Sequence, residues 1–202
     1  MSHDQRKIIP DVEDLLKSLK VMTIAVPWEN GVWSAPVYYL YKNRAFSFFS
    51  SADSRHIKGA KLSPDMEVAA SIFMDDVKVN NIRGIQMRGK IYDIVATGNT
   101  ARIDNADITG NITPVYNTTV ADNTTTVADI NRVGTSNTGE VLAYIKKFGI
   151  SFKGLNDRKN WAQDALDLMQ QHYRSSFYRF VPSEIIYMDN RVQIGFKQKI
   201  IL

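Results

Sequence analysis

Asn30-Gly31 stands between two apolar runs, Val21–Trp28 and Val32–Tyr41, and no other feature of this 202-residue chain limits its fold as tightly. Asn-Gly accepts the left-handed backbone that a tight turn between twisted strands requires, so the two runs read as a hairpin with Glu29-Asn30-Gly31 at its tip. A second turn, Lys42-Asn43-Arg44, leads into Ala45–Ser51. Glu67–Phe73 and Ile82–Val95 read as two further strands, joined around Asp75–Asn81. Ser176–Pro182, Glu184–Asp189 and Arg191–Ile200 read as three more, with Asp189-Asn190 as the tight turn between the last two. Strands of this number and spacing, with helices at one end, point to a mainly β chain that closes as a small barrel.

Three segments carry a helical pattern instead. Ile9, Val12, Leu15, Leu16 and Leu19 recur at helical spacing. Pro10 and Asp11 stand at the start, Glu13 and Asp14 follow, and Lys17 and Lys20 close the segment. That charge order matches a helix dipole, so residues 10–20 are expected to be an amphipathic helix. Glu140–Phe148 places Val141, Leu142, Tyr144, Ile145 and Phe148 on one face. Asn160–Tyr173 does the same with Trp161, Ala165, Leu168, Met169 and His172, a stripe that suits core packing better than a cofactor site.

The chemistry concentrates between Phe48 and Pro64. Ser50 and Ser51 end a strand, and Ser54, Arg55 and His56 open a short helix, Ser54–Leu62, which Ser63-Pro64-Asp65 terminates. The first backbone N–H groups of a helix lack intrahelical acceptors, and the dipole there favours an anion. Hydroxyls from a strand end and a guanidinium able to bind two oxygens at once would complete a phosphate site. The same residues also read as an ordinary serine cap followed by a solvated arginine.

From Thr97 to Thr138 the character changes. Thr and Asn dominate, Tyr116 is the only aromatic residue, and lysine is absent. Asn99, Asn105, Asn111, Asn117 and Asn123 fall six residues apart, but the apolar positions between them hold no register, so residues 97–138 read as an inserted loop rather than a solenoid. Asn111, Asn117 and Asn123 each begin an N-x-Thr sequon, which this composition produces by itself. Deleting such a loop is expected to leave the domain folded, because closure entropy grows only logarithmically with length.

Composition removes several classes of function. Cysteine is absent, which excludes disulfides, thiolate catalysis and thiolate metal sites. The net charge of +4 comes from scattered Lys and Arg with no basic block, so a nucleic-acid partner is not expected. The N-terminal residues lack the apolar core of a secretory signal. No apolar run approaches the ~20 residues of a membrane-spanning helix. A single soluble domain over residues 1–202, cytoplasmic and without a membrane partner, is the expectation. Asp75 and Asp76 read as a turn, His3 as part of a frayed terminus, and no HExxH, P-loop or GxSxG motif occurs.

Three blocks together carry a resemblance: SSADSRHIKGAKLSP at 50–64, IRGIQMRGKI at 82–91 and EIIYMDNRVQIGFKQKI at 184–200. In this order they resemble the pyridoxamine 5'-phosphate oxidase-like FMN-binding split-barrel superfamily, above all its YhbP-type branch. The likeness covers about residues 1–95 and 140–202. It implies a six-stranded antiparallel split β-barrel that forms a homodimer, with FMN in a cleft at the subunit interface. By position, Ser50, Ser51, Ser54, Arg55 and His56 would hold the FMN phosphate. Pro36, Val37 and Tyr38, within Ala35–Tyr39, would pass along the isoalloxazine edge and offer backbone groups. Gln86 would supply an amide to the ring, and Lys197 of the second copy would complete the pocket. His56 stands where the oxidases carry Lys, which makes affinity weaker or pH-dependent.

Function follows only partway from this resemblance. The oxidases grip substrate with an Arg-x-His pair near the last strand, and Val192-Gln193-Ile194-Gly195-Phe196-Lys197 has none, which argues against a true pyridoxamine-phosphate oxidase. What remains is an FMN-binding flavoprotein that carries hydride or electrons for an unidentified substrate. A non-catalytic flavin-binding or redox-sensing module is the first alternative, and a haem-binding split barrel, with His56 or His172 as ligand, the second.

Overall fold

The computed structural model describes residues 3–62, 67–74, 78–94, 138–150 and 161–201. The inserted segment, Asp75-Asp76 and the side chains of His3 and His172 lie outside what is described. Helix α1 (His3–Ser18) leads into a hairpin of β1 (Val21–Trp28) and β2 (Gly31–Tyr38). Then follow β3 (Leu40–Lys42), β4 (Ala45–Ser51), α2 (Arg55–Leu62), β5 (Glu67–Met74) and β6 (Arg83–Asp93). Helices α3 (Thr138–Phe148) and α4 (Trp161–Tyr173) precede β7 (Ser175–Asp189) and β8 (Lys197–Ile200).

The hairpin tip is tighter than expected. Trp28 pairs with Gly31, so the two-residue turn is Glu29-Asn30, and Glu29 takes the left-handed backbone at φ 51°. At the next turn Asn43 and Arg44 both have positive φ, 51° and 61°, the signature of a type I′ hairpin between β3 and β4. The run expected as one strand, Val32–Tyr41, divides at Tyr39. Its backbone N–H donates to Lys20 and its hydroxyl to the Leu16 carbonyl, so this buried residue ties the strand to the end of α1. On either side of it the chain changes partner, from β1 to β4.

Eight strands form one antiparallel sheet in the order β2-β1-β5-β6-β7-β4-β3, where six were expected. Strand β8 pairs with the C-terminal part of β7, while β4 pairs with its N-terminal part. The 15-residue β7 thus serves two neighbours in succession and splits the sheet. It is one strand, not the expected two. Pro182 and Ser183 are accommodated by a bulge opposite Arg88-Gly89, and the Ser183 hydroxyl donates to the Arg88 carbonyl. Gly89 permits this approach, because a Cβ there would lie 2.2 Å from the Val181 carbonyl oxygen. Pro36 sits in β2, the terminal strand of the order, where a missing donor is tolerated.

Apolar side chains alternate inward into a barrel core that includes Met22, Ile24, Phe46, Phe48, Ile72, Ile85, Tyr178 and Phe180. Val12, Leu15 and Leu16 of α1 close one side of it, and Ile57 and Ala60 of α2 close another. Helix α1 begins earlier than the expected residue 10, with Pro10 inside it, because the apolar stripe already includes Ile8, which packs against the core. A second core, with Val141, Tyr144, Ile145, Ala165, Leu166 and Phe177, seats α3 and α4 on the other face of β4 and β7. Strand β4 and the N-terminal part of β7 are therefore covered on both faces. Within this second layer Ser47 and Arg179 both donate to the buried Glu140 carboxylate. No described helix is long and apolar enough to cross a membrane.

Candidate functional site

Strand β4 alternates Phe46 and Phe48 into the barrel, so Ser50 ends the strand on that same inward face. Only 8% of it is exposed. The chain then turns through Ser51–Ser54 into α2. Ser54 donates its N–H (3.1 Å) and its hydroxyl (2.8 Å) to the Ser51 carbonyl, and the Ser51 hydroxyl accepts from the Asp53 N–H at 3.2 Å. This double tie fixes where α2 begins.

Three polar side chains meet there. His56 Nε2 lies 2.8 Å from Ser50 Oγ and 3.3 Å from Ser54 Oγ, and the two hydroxyls are 3.1 Å apart. Burial lowers the His56 pKa, which favours the neutral imidazole. The Ser54 carbonyl already accepts from the Ile57 and Lys58 N–H groups. The Arg55 and His56 N–H groups have no acceptor among the described residues. No acid occupies the first turn of α2, and the nearby Asp53 is paired with Lys58 at 3.0 Å. Hydroxyls, free backbone donors and a dipole end thus occupy one corner, with Arg55 in the adjoining first turn of α2. That donor set suits a phosphoryl group.

The other residues singled out in the sequence stand elsewhere. Pairing aligns Pro36, Thr23, Ser71, Gln86, Ile186 and Lys199 across five strand pairs, all on the outer face of the sheet. Gln86 and Pro36 are exposed there. Lys197 is on the same face but one row away, opposite Met188, and it is Lys199 that shares the Gln86 row. Val37 turns inward and belongs to the barrel core, so its side chain is not on the exposed face. The Tyr38 carbonyl is engaged by the Tyr144 hydroxyl of α3 at 3.2 Å, which removes one of the backbone acceptors expected for a ring. Within one chain the structure joins Ser50, Ser54 and His56, and it sets Pro36 and Gln86 on the outer face in one row, three strand steps apart.

One neighbour of the corner was not singled out in the sequence. The Arg55 guanidinium lies 4.4 Å from the centre of the Trp33 ring. Trp33 was visible only as a residue of a strand. Its position beside Arg55 depends on α2 lying across the β1–β2 hairpin, where Gly59 touches Val26 and Pro27.

Comparison with solved structures identifies the architecture. Campylobacter jejuni ChuZ superposes with a TM-score of 0.58 at 9% identity, covering 96% of this chain and 59% of that one. The fold is a split barrel. Conserved hypothetical protein Rv2991 from Mycobacterium tuberculosis shares it, at TM-score 0.52 and 13% identity over 95% of this chain and 86% of its own. A FAD-binding protein (mll6688) from Mesorhizobium loti gives 0.45 at 10% identity, with 87% and 90% covered. No family profile and no curated protein sequence matches the chain. The split barrel spans about three-fifths of ChuZ. Identities this low establish the fold and no particular branch within it.

Proposed function

We propose that this split barrel binds FMN, with the monoester phosphate in the corner formed by Ser50, Ser54, Arg55 and His56. The observation that carries the reading is the meeting of three polar side chains with the unaccepted Arg55 and His56 N–H groups at a helix end that carries no acid. A bound flavin would supply hydride or electron transfer at its ring. The chain's own residues would hold the phosphate and present Gln86 and the Pro36 carbonyl to the ring.

The two groups of residues lie on different faces of one chain, which supports a homodimer whose copies meet on the outer sheet face. That face leaves Val21, Tyr38 and Phe73 exposed by 44%, 59% and 62%, unusual for three large apolar side chains on one side of a sheet. A flavin bound between copies would draw its phosphate contacts from one and ring contacts from both.

Titration of the purified protein with FMN and with riboflavin tests the reading. FMN is expected to bind more tightly, and Arg55→Ala to remove most of that advantage while leaving riboflavin nearly unchanged. Equal losses for both flavins would refute the phosphate assignment. With His56 Nε2 as ligand, the haem alternative takes that atom from Ser50, and a Soret band that vanishes in His56→Ala would select it.

A further inference from the structure

We infer that Trp33 is a positioning residue for the bound phosphate, holding Arg55 ready at the mouth of the corner. The inference rests on the phosphate reading above. An arginine in the first turn of a helix faces the positive end of the dipole, and here no acid in that turn compensates. Among the described residues Arg55 makes no ion pair; Asp53, the nearest acid in sequence, is engaged with Lys58. What holds the guanidinium is the Trp33 ring, 4.4 Å away, well inside the range of a cation–π contact. Trp33 itself is 37% exposed, a large aromatic kept at the surface rather than in the core.

Stacking suits this task because a guanidinium is planar. A guanidinium laid flat on an indole keeps all five N–H donors in its own plane, free for phosphate oxygens. Without the ring, Arg55 would sample many rotamers and lose that freedom on binding; with it, part of the ordering precedes the ligand. Trp33 therefore adds no contact to the ligand, and acts through Arg55 alone. A purely structural role, stapling α2 to β2, would instead weaken the whole fold and both flavins alike.

Flavin fluorescence titrations with FMN and riboflavin separate the two roles. Trp33→Leu is expected to weaken FMN by about two- to fivefold, the range for a partly exposed cation–π pair, and riboflavin by less than twofold. Trp33→Phe should recover most of the loss. In an Arg55→Ala background, Trp33→Leu should cost nothing more, because the pair acts as a unit. Equal weakening of both flavins, or an undiminished loss in the Arg55→Ala background, would overturn the inference. If Trp33→Leu does not fold, Trp33→Met keeps apolar bulk without a ring and carries the same expectations. A wild-type protein that binds FMN no better than riboflavin would instead remove the phosphate reading itself, and this inference with it.

Discussion

Gly59 sets two known effects against each other, and the structure decides the sign. In the interior of a helix, Gly→Ala ordinarily stabilises by about 1 kcal/mol. Here a Cβ would stand 2.5 Å from the Pro27 carbonyl oxygen and 2.5 Å from a methyl of Val26. Neither can yield cheaply, since the carbonyl is strand backbone and Val26 is 1% exposed. Relief requires α2 to lift from β1 by roughly 1 Å, and overpacking of this kind costs about 1–3 kcal/mol. Two contacts this short place the cost at the upper end, so Gly59→Ala is expected to lose about 2 kcal/mol net. For a chain of this size that is a fall of about 4–8 °C in Tm. Urea and thermal unfolding measure it, with Gly139→Ala, where no atom lies within 4 Å, as a control expected not to lose stability. The lift would also draw His56 away from Ser50, now at 2.8 Å, so the proposed preference for FMN over riboflavin should narrow in parallel. A Gly59→Ala protein more stable than its parent would refute the packing argument, and with it the claim that this helix is seated by close contact.

Four further outcomes follow from the same contacts. Burial alone would raise the Asp189 carboxyl, but hydrogen bonds from Arg191 and Tyr187 outweigh it and hold the pKa below 3.8. The stability this gives is present above pH 3.8 and is lost as pH falls through the lower folded value; Asp189→Asn should flatten that acid limb in urea midpoints measured against pH. Glu140→Gln takes from the largely buried Arg179 its counter-charge among the described residues and is expected to cost about 3 kcal/mol, with faster hydrogen exchange in α3. His56, lowered by burial, contributes stability above pH 6.5 that fades as pH falls through its folded value, so His56→Asn should reduce the decline below pH 6.5. Phe73→Asp, placed in the exposed outer face, is expected to yield a monomer in sedimentation that binds both flavins poorly; a dimer of unchanged affinity would count against the two-copy cofactor site.

The readable parts of the chain were those fixed by near neighbours. Strands β1 and β4 lie where the sequence placed them, residue for residue, because turn chemistry on each side bounds an apolar run. The split-barrel fold was likewise legible, through three blocks of residues and their order. The unreadable parts depend on distant partners. Pro182 looks like the end of a strand until Gly89 of β6 opens a bulge beside it, so one long strand reads as two. Tyr39 looks like the middle of a strand until its hydroxyl and N–H are claimed by α1 and the residues just after it. The serine–histidine corner is local and was foreseen as a cluster. The value of Trp33 was not, since only tertiary packing of α2 brings it to Arg55.

The arrangement of the two cores explains why such a corner can hold still. Strand β4 is clamped between the barrel core, through Phe46 and Phe48, and the helical layer, through Phe49 and the Ser47–Glu140–Arg179 network. Its last inward residue, Ser50, therefore has little freedom to move. Helix α2 is in turn fixed from below by Gly59 against β1 and from its start by the Ser51–Ser54 ties. A site that recognises a phosphate by hydrogen bonds needs its donors placed before the ligand arrives, because ordering them afterwards subtracts from affinity. Here the strand end and the helix start are each held by elements outside the corner. Only Arg55 projects from it with a long flexible side chain, and that one rests on an indole ring.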